Sequence, residues 1–252
     1  MEDLLYRMIF KRKSFHIFKG TDGKISENEL NRIEEHFKEV KPLIPGIKTH
    51  IEIVSSEKTT CKRGQEYCIL LYSEKKENYL QNIGYIGQQI DLFLASLDIG
   101  SLWFGIGKVQ ETVKEGMDYV IMLAVAKMPS DKFRKDMFKS KRKSLSEIWY
   151  GEDIAGIGNI IRFTPSACNS QPWKVYREDN TLRIYRYKKP GKRGIMPADK
   201  VAYYNRIDMG IFLCFLELCL KHEKIAFERK LFEDMSDDER EETAFAEYLL
   251  KG

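Results

Sequence analysis

The sequence of 252 residues is poor in the features that mark several large classes of protein. Its five cysteines are odd in number and show no CxxC spacing, so neither a zinc site nor a disulfide framework is indicated. The four histidines are scattered, and no metal site is expected from them. The formal net charge is only +4, with acidic residues interspersed throughout. Because no basic stripe with stacking aromatic residues stands out, nucleic-acid binding is not expected.

Long apolar runs are also missing. The most apolar stretches are interrupted by Asp91, Asp98, Asp208 and Glu217, so no membrane span is predicted. No secretory signal opens the sequence, and we expect a cytoplasmic protein. Residues 105–109 resemble a phosphate loop, but the earlier glycine and the following Ser or Thr of that motif are absent. No Gly-x-Gly-x-x-Gly follows a strand, so a nicotinamide cofactor would bind without a Rossmann fold.

The chain does contain one unusual loop. Residues 164–173 read Thr-Pro-Ser-Ala-Cys-Asn-Ser-Gln-Pro-Trp and lead directly into a predicted strand. The two prolines fix φ and remove two backbone donors, while the serine, asparagine and glutamine side chains can hold the turn in one shape. Such a rigid polar loop can press against a flat ligand. Within it, we expect Cys168 to fill space rather than to act as a redox thiol.

This loop resembles the Pro-Ser-x-x-Asn-x-Gln-Pro-Trp signature of the FMN-dependent nitroreductase superfamily, and three other segments resemble the same family. Residues 11–18 resemble its basic N-terminal run, with His16 in place of a longer cation. Residues 83–105 resemble its long central helix and the Gly-rich turn after it, and we expect Gly100 to end that helix. Residues 139–148 resemble the basic segment that follows its central strands.

The order of these segments differs from that of the family, because the proline-rich loop follows the central helix here. We explain this by an internal duplication, with one nitroreductase-like half over residues 1–138 and a second over residues 139–252. The first half is predicted to contain a helix at 26–40, a loop at 41–46, strands at 49–54 and 67–72, and the central helix. The second is predicted to contain a helix at 153–161, the proline-rich loop, strands at 173–177 and 181–187, and a buried helix at 205–220.

The resemblance implies an α+β protein with the nitroreductase-like fold, built of mixed, mainly antiparallel sheets flanked by helices. The family normally forms two-fold dimers, so the fused chain would be a monomer that carries the dimer interface internally. The loop at 42–46 lacks the serine and asparagine of its counterpart, so one flavin site is expected and not two. The acidic segment at 234–248 is predicted to be a solvated terminal helix.

By the same resemblance the cofactor is FMN, whose N5 atom carries the chemistry, so no side chain is assigned a catalytic role. Arg12, Ser14 and Arg142 would hold the phosphate, and His16 would lie near the pyrimidine end of the ring. The backbone at Gly105 and Ile106 would approach N5 and O4. The full set implied to bind FMN is Arg12, Lys13, Ser14, His16, Gly105, Ile106, Lys141, Arg142, Pro165, Ser166, Ala167, Asn169 and Gln171.

The implied activity is transfer of hydride or electrons from NAD(P)H through FMN to a small electron-poor acceptor, such as a nitroaromatic compound or a quinone. An alternative is a flavin-binding or electron-transfer module that uses a protein donor such as ferredoxin, without NAD(P)H turnover. The sequence does not decide between them, because the residues that bind FMN are the same in both cases. A third alternative, a fold that has lost flavin, would be favoured if Arg12, Ser14 and Asn169 lay far apart in space.

Overall fold

The computed structural model describes residues 1–188, 196–234 and 241–251. These residues contain five α-helices and ten β-strands. The helices are α1 (Glu2–Lys11), α2 (Glu27–Glu39), α3 (Tyr79–Ser96), α4 (Ile157–Ile161) and α5 (Val201–His222). Most residues of α3 and α5 are buried, as expected for helices that are apolar almost all round. The buried helix predicted at 205–220 is therefore confirmed. Within the described residues, no helix is long and apolar enough to cross a membrane.

The helices α3 and α5 cross with their backbones in contact. A Cβ atom on Gly84 of α3 would lie 2.0 Å from the carbonyl oxygen of Ile207, and one on Gly210 of α5 would lie 1.8 Å from that of Gln81. Both distances are far below any normal carbon–oxygen contact, so no side chain fits at either glycine. Ile207 lies three residues before Gly210, and Gln81 lies three residues before Gly84, so the two contacts are equivalent. A local two-fold axis therefore relates the two helices at their crossing.

Two five-stranded sheets flank the central helices. The first holds β1 (Thr49–Ser55), β2 (Tyr67–Ser73), β3 (Ile99–Phe104), β4 (Val113–Lys114) and β5 (Met117–Lys127). The second holds β6 (Trp149–Tyr150), β7 (Trp173–Glu178), β8 (Thr181–Tyr187), β9 (Ala226–Leu231) and β10 (Glu242–Lys251). All paired strands are antiparallel except β6 and β7. The expected α+β class with mainly antiparallel sheets is confirmed.

The two sheets repeat one strand order. The first runs β1-β2-β5-β3, with β4 beside β5, and the second runs β7-β8-β10-β9, with β6 added beside β7. In each sheet a hairpin is followed by the central helix and then by two further strands, which insert in the same positions. This shared topology supports an internal duplication. The division of the chain between residues 138 and 139 stays a prediction.

The two halves share one hydrophobic core. It contains both central helices together with Ile69 and Val125 of the first sheet and Val175 and Ile184 of the second. A second cluster covers the other face of the first sheet, where Phe15 and other residues of the N-terminal run pack. The first sheet is therefore buried on both faces. This packing lays the basic N-terminal run along the sheet.

Most elements predicted from the sequence are present. Each of the strands predicted at 49–54, 67–72, 173–177 and 181–187 is confirmed to within one residue. The predicted helix at 26–40 is α2, and Ser26 caps it: the Glu29 backbone N–H donates to the Ser26 hydroxyl, and the Glu29 carboxylate accepts from the Ser26 N–H.

The predicted end of the central helix is wrong. The helix stops at Ser96, and Asp98, not Gly100, takes the left-handed conformation, with φ of 55°. Gly100 lies inside β3, so a strand stands where the Gly-rich turn was expected. A Cβ on Gly100 would lie 2.6 Å from Met128 and 2.8 Å from the ring of Phe15. The glycine is thus needed for close packing within the sheet.

Two predictions for the second half need correction. The helix expected at 153–161 covers only Ile157–Ile161, because the Asp153 carboxylate accepts the Gly158 N–H at 2.6 Å and closes a turn before it. The solvated terminal helix expected at 234–248 is wrong, since Glu242–Lys251 form β10. Its buried residues largely alternate, as in a strand with one face on a core, and the high charge of the segment masked that alternation. Residues 235–240 lie outside the described residues.

The helix crossing makes a testable prediction about Gly210→Ala. Alanine favours a helix over glycine by about 1 kcal/mol, but its Cβ cannot fit against the Gln81 carbonyl oxygen. Overpacking a core typically costs about 1–3 kcal/mol. We expect a net loss of unfolding free energy in a urea titration. The control Asn31→Ala, on the exposed face of α2, should slightly increase stability; a Gly210→Ala protein more stable than wild type would contradict the crossing.

Candidate functional site

The N-terminal basic run is placed by the edge of the first sheet. The run leaves α1 at Arg12, and Ser14 pairs with Ser101 of β3 in a parallel bridge. The Phe15 N–H donates to the Ser101 carbonyl oxygen at 3.0 Å. Because side chains alternate along extended chain, Arg12, Ser14 and His16 project to the same side. They face a cavity between this strand and α5.

The proline-rich loop closes the cavity from the second half of the chain. Its Ala167 N–H donates to the Asp208 carboxylate of α5 at 3.0 Å, and its Gln171 N–H donates to the Ser166 hydroxyl at 2.9 Å. Cys168, Asn169 and Gln171 all have φ near +50°, which only a tightly held turn maintains. The loop is therefore rigid, as its composition predicts.

The cleft has two adjoining cavities of about 120 and 200 Å³. The first has apolar walls formed by Leu102, Trp103, Ile121, Ile207 and Ile211. Of the thirteen residues implied to bind FMN, seven line it: Arg12, Ser14, His16, Gly105, Pro165, Ser166 and Ala167. The second cavity shares seven lining residues with the first, so the two are lobes of one cleft, and it adds the implied residue Ile106.

The other implied residues lie outside these walls. The Asn169 amide donates to the Lys141 carbonyl oxygen at 3.2 Å, and the Gln171 side-chain oxygen accepts the Lys143 N–H at 2.8 Å. Both side chains therefore fasten the loop to the basic segment at 139–148. Lys13 is exposed and donates to the Lys132 carbonyl oxygen at 3.0 Å. Lys141 is also exposed, and Arg142 lies beside the cavity, near enough to Arg12 for the two charges to interact.

Arg12 is held in a buried ion pair. Its Nε donates to the Asp91 carboxylate of α3 at 2.7 Å, and both side chains are almost fully buried. The same carboxylate accepts hydrogen bonds from the Ser101 hydroxyl, from Trp103 Nε1 at 3.3 Å and from Gln88 Nε2 at 3.2 Å. Arg12 Nη2 is buried and has no hydrogen-bond partner among the described residues. That N–H group is left available for a ligand.

Four arginines cluster at this end of the cleft: Arg12, Arg134, Arg142 and Arg162. Burial, and then the charge of Arg12, lowers the pKa of Arg134 to about 10. Burial and the charges of Arg134, Arg12 and Arg162 likewise lower the pKa of Arg142 to about 10. Arg142 Nε is buried and lacks a hydrogen-bond partner in the described part of the chain. The electrostatics favour binding of an anion.

Several of these residues were missed in the sequence. Arg134 and Arg162 lie outside the matched motifs, and only the density of cations after residue 131 hinted at the first of them. Asp208 was noted only as an interruption of an apolar stretch. It lines the first cavity, and burial raises the pKa of its carboxyl to about 8. Tyr204 was also missed: its hydroxyl donates to the Gly105 carbonyl oxygen at 2.8 Å.

Two expectations about individual residues change. A Cβ on Gly105 would lie 2.5 Å from the Tyr204 ring, so the space beside this glycine accommodates Tyr204. Cys168 is exposed and lines both lobes of the cleft, so it does not fill space in the interior. Among the described residues, no group of three or more His, Cys, Asp and Glu side chains could hold a metal ion.

The chain is similar to known proteins over most of its length. Residues 4–220 match the family model described as "Putative TM nitroreductase". The chain belongs to this nitroreductase family. A nitroreductase structure from Thermotoga maritima is similar over 98% of this chain and 93% of its own, with 19% identity and a TM-score of 0.61. That full-length similarity confirms the nitroreductase-like fold.

Other nitroreductase structures match only part of this chain. A nitroreductase family protein from Clostridium difficile is 13% identical, with a TM-score of 0.46, over 60% of this chain and 98% of its own. A nitroreductase from Desulfovibrio desulfuricans, solved in complex with FMN, is 15% identical, with a TM-score of 0.44, over 60% of this chain and 97% of its own. A comparison with curated proteins finds no match.

Proposed function

We propose that the chain is an FMN-dependent oxidoreductase, with FMN in the cleft and its phosphate against the arginine cluster. The observation that carries this proposal is the cluster itself. Arg12 and Arg142 each keep a buried N–H group without a partner among the described residues. A buried, unpaired cation is costly, so a bound anion would stabilise this arrangement. The apolar walls beside the cluster suit a flat ring.

The chain's own residues would bind and orient the cofactor. FMN, when bound, supplies the hydride chemistry at N5, and the protein supplies placement and electrostatics. Arg12 and Arg142 are suited to hold the phosphate, since guanidinium groups match its geometry, and Ser14 can add a hydroxyl. Arg12, Ser14 and the loop that carries Asn169 meet at one cleft, which argues against a fold that has lost flavin.

We propose that the second lobe of the cleft receives the electron donor and then the acceptor. It is lined by Arg63, Phe104, Ile106 and Met196, together with the residues that it shares with the first lobe. Ile106 is half exposed, so the lobe is open at the surface. A shallow, largely apolar lobe can admit NAD(P)H and later a flat electron-poor molecule, such as a nitroaromatic compound or a quinone. Broad acceptor tolerance would follow.

The local two-fold axis relates the cleft beside Asp91 to an equivalent position beside Glu217, which we call the mate site. We further infer that this mate site is closed. Glu217 lies seven residues after the crossing glycine of α5, as Asp91 does in α3. It accepts hydrogen bonds from the hydroxyls of Tyr85 and Tyr248 at 2.8 Å each and pairs with Arg229. The cavity beside it is only about 20 Å³. One chain then holds one FMN and functions as a monomer.

The first test of the phosphate site is Arg142→Ala. A charge-assisted hydrogen bond contributes about 1.5–3 kcal/mol, so we expect the Kd for FMN, from fluorescence titration, to rise roughly ten- to a hundredfold. Without FMN, the substitution removes like-charge repulsion, and the urea midpoint should not fall. The control is Arg177→Ala, which removes an arginine that bonds to Asp179 and Glu152 elsewhere. Equal FMN affinity in wild type and Arg142→Ala would place the phosphate elsewhere.

The closed mate site predicts the stoichiometry. FMN released from the saturated protein should amount to one molecule per chain, because Glu217 and Arg229 occupy the equivalent position. The measurement is flavin absorbance against protein concentration, with light scattering for the mass of the particle. Two FMN molecules per chain would show that the mate site opens, and an obligate dimer would contradict an internal interface.

Electron donation is tested by anaerobic mixing. NADH or NADPH should bleach the oxidised flavin absorption of the FMN-loaded protein, and addition of a nitroaromatic compound or a quinone should restore it. Dithionite provides the control that the bound flavin can be reduced. If dithionite bleaches the flavin and neither nicotinamide does, the result favours a protein donor such as ferredoxin over NAD(P)H.

A further inference from the structure

A buried carboxyl group lies in the wall of the cleft. Asp208 on α5 is 3% exposed and lines the first cavity. One oxygen accepts the Ala167 N–H at 3.0 Å, and the other lies 3.5 Å from the Ser170 hydroxyl. It forms no ion pair with the described residues, and burial raises the pKa of this carboxyl to about 8. At neutral pH this acid is largely protonated.

Holding the proline-rich loop does not require an acid. In the first half, Asn82 lies two residues before Gly84, as Asp208 lies two residues before Gly210. The Asn82 side-chain oxygen accepts the Ile44 N–H at 3.0 Å, the same bond to the equivalent loop. A neutral amide therefore provides the acceptor in the half without an open cleft. Since an ionisable group in an apolar site costs stability when it is charged, the acid at 208 has no structural advantage over asparagine.

Among the described residues, Asp208 supplies the one carboxyl group that lines the first cavity. From the N-terminal run, Arg12 and His16 face the cavity, and Arg12 is already paired with Asp91 of α3. Cys168 of the loop and Tyr204 of α5 complete the titratable lining among the described residues. Arg206 on α5 bonds to the Asp234 carbonyl oxygen instead.

We propose that Asp208 couples proton uptake to the reduction of FMN in the cleft: wherever Asp208 is a carboxylate it takes up a proton, so that the negative charge gained by the cofactor is not opposed by a second one. This inference rests on the proposed function. Hydride transfer from NAD(P)H would oxidise the nicotinamide and add one negative charge to the cofactor. A proton from solvent then binds the Asp208 carboxylate and makes it a neutral acid. No further oxidant or reductant is involved.

The test is the pH dependence of the midpoint potential of the FMN-loaded protein, measured against reference dyes between about pH 6 and about pH 9. Above about pH 8 the wild-type potential should fall about twice as steeply with pH as that of Asp208→Asn, because two protons rather than one accompany two electrons there. Asp208→Asn keeps the loop acceptor, as Asn82 shows. The control Asn82→Asp adds an acid at the mate position and should behave as wild type.

The possible outcomes separate the two proposals. Failure of wild type to bind FMN in a fluorescence titration overturns both of them. Binding with equal slopes in wild type and Asp208→Asn overturns only the role of Asp208. If Asp208→Asn does not fold, the wild-type protein alone tests the role of Asp208. A constant one-proton slope across the whole pH range would also overturn that role.

A measurement without FMN checks the ionisation of Asp208 itself. A carboxyl whose pKa is raised by folding lowers stability as pH rises from its unfolded value toward about 8. The stability of Asp208→Asn relative to wild type, from urea unfolding of the flavin-free proteins, should therefore increase between about pH 5 and about pH 8. A pH-independent difference would contradict the protonated state and with it the proposal.

Discussion

The backbone contact between α3 and α5 at Gly84 and Gly210 is the constraint on which the rest of the structure depends. Because neither glycine can carry a side chain, the two helices approach closely enough for one core to span both halves. The same helices carry Asp91 and Asp208, which hold the N-terminal run and the proline-rich loop. A small change in the crossing would therefore displace both walls of the cleft together.

The two halves have diverged around this shared axis. At one end Glu217 is satisfied by Arg229 and two tyrosine hydroxyls, which close the space. At the other end Asp91 pairs with Arg12, but three further arginines lie nearby and form no ion pair with the described residues. The first arrangement contributes to folding, whereas the second keeps repulsive charges that folding alone does not require. This contrast is typical of a site retained for binding at some cost in stability.

Local patterns in the sequence predicted much of the fold. The residue pattern predicted β7 and β8, the apolar surface of α5 predicted its burial, and the proline-rich loop predicted a rigid wall. The failures have physical causes. Gly100 was assigned to a turn because glycine favours positive φ, whereas here its missing Cβ serves packing, and Asp98 makes the turn. Arg134, Arg162 and Asp208 belong to the site through contacts between distant segments, which no local spacing reveals.

The charge balance of the arginine cluster connects the fold to the cofactor. Arg12 serves two purposes, since its Nε is committed to Asp91 while its Nη2 lacks a partner among the described residues. Four guanidinium groups and the Asp91 carboxylate leave an excess of three positive charges. A phosphate monoester carries about 1.5–2 negative charges at neutral pH, so it would neutralise at least half of this excess. Burial is the larger cause of the lowered pKa of Arg134 and Arg142, and repulsion among the arginines adds to it. Binding of the phosphate would relieve that repulsion, and an uncharged flavin without a phosphate would not.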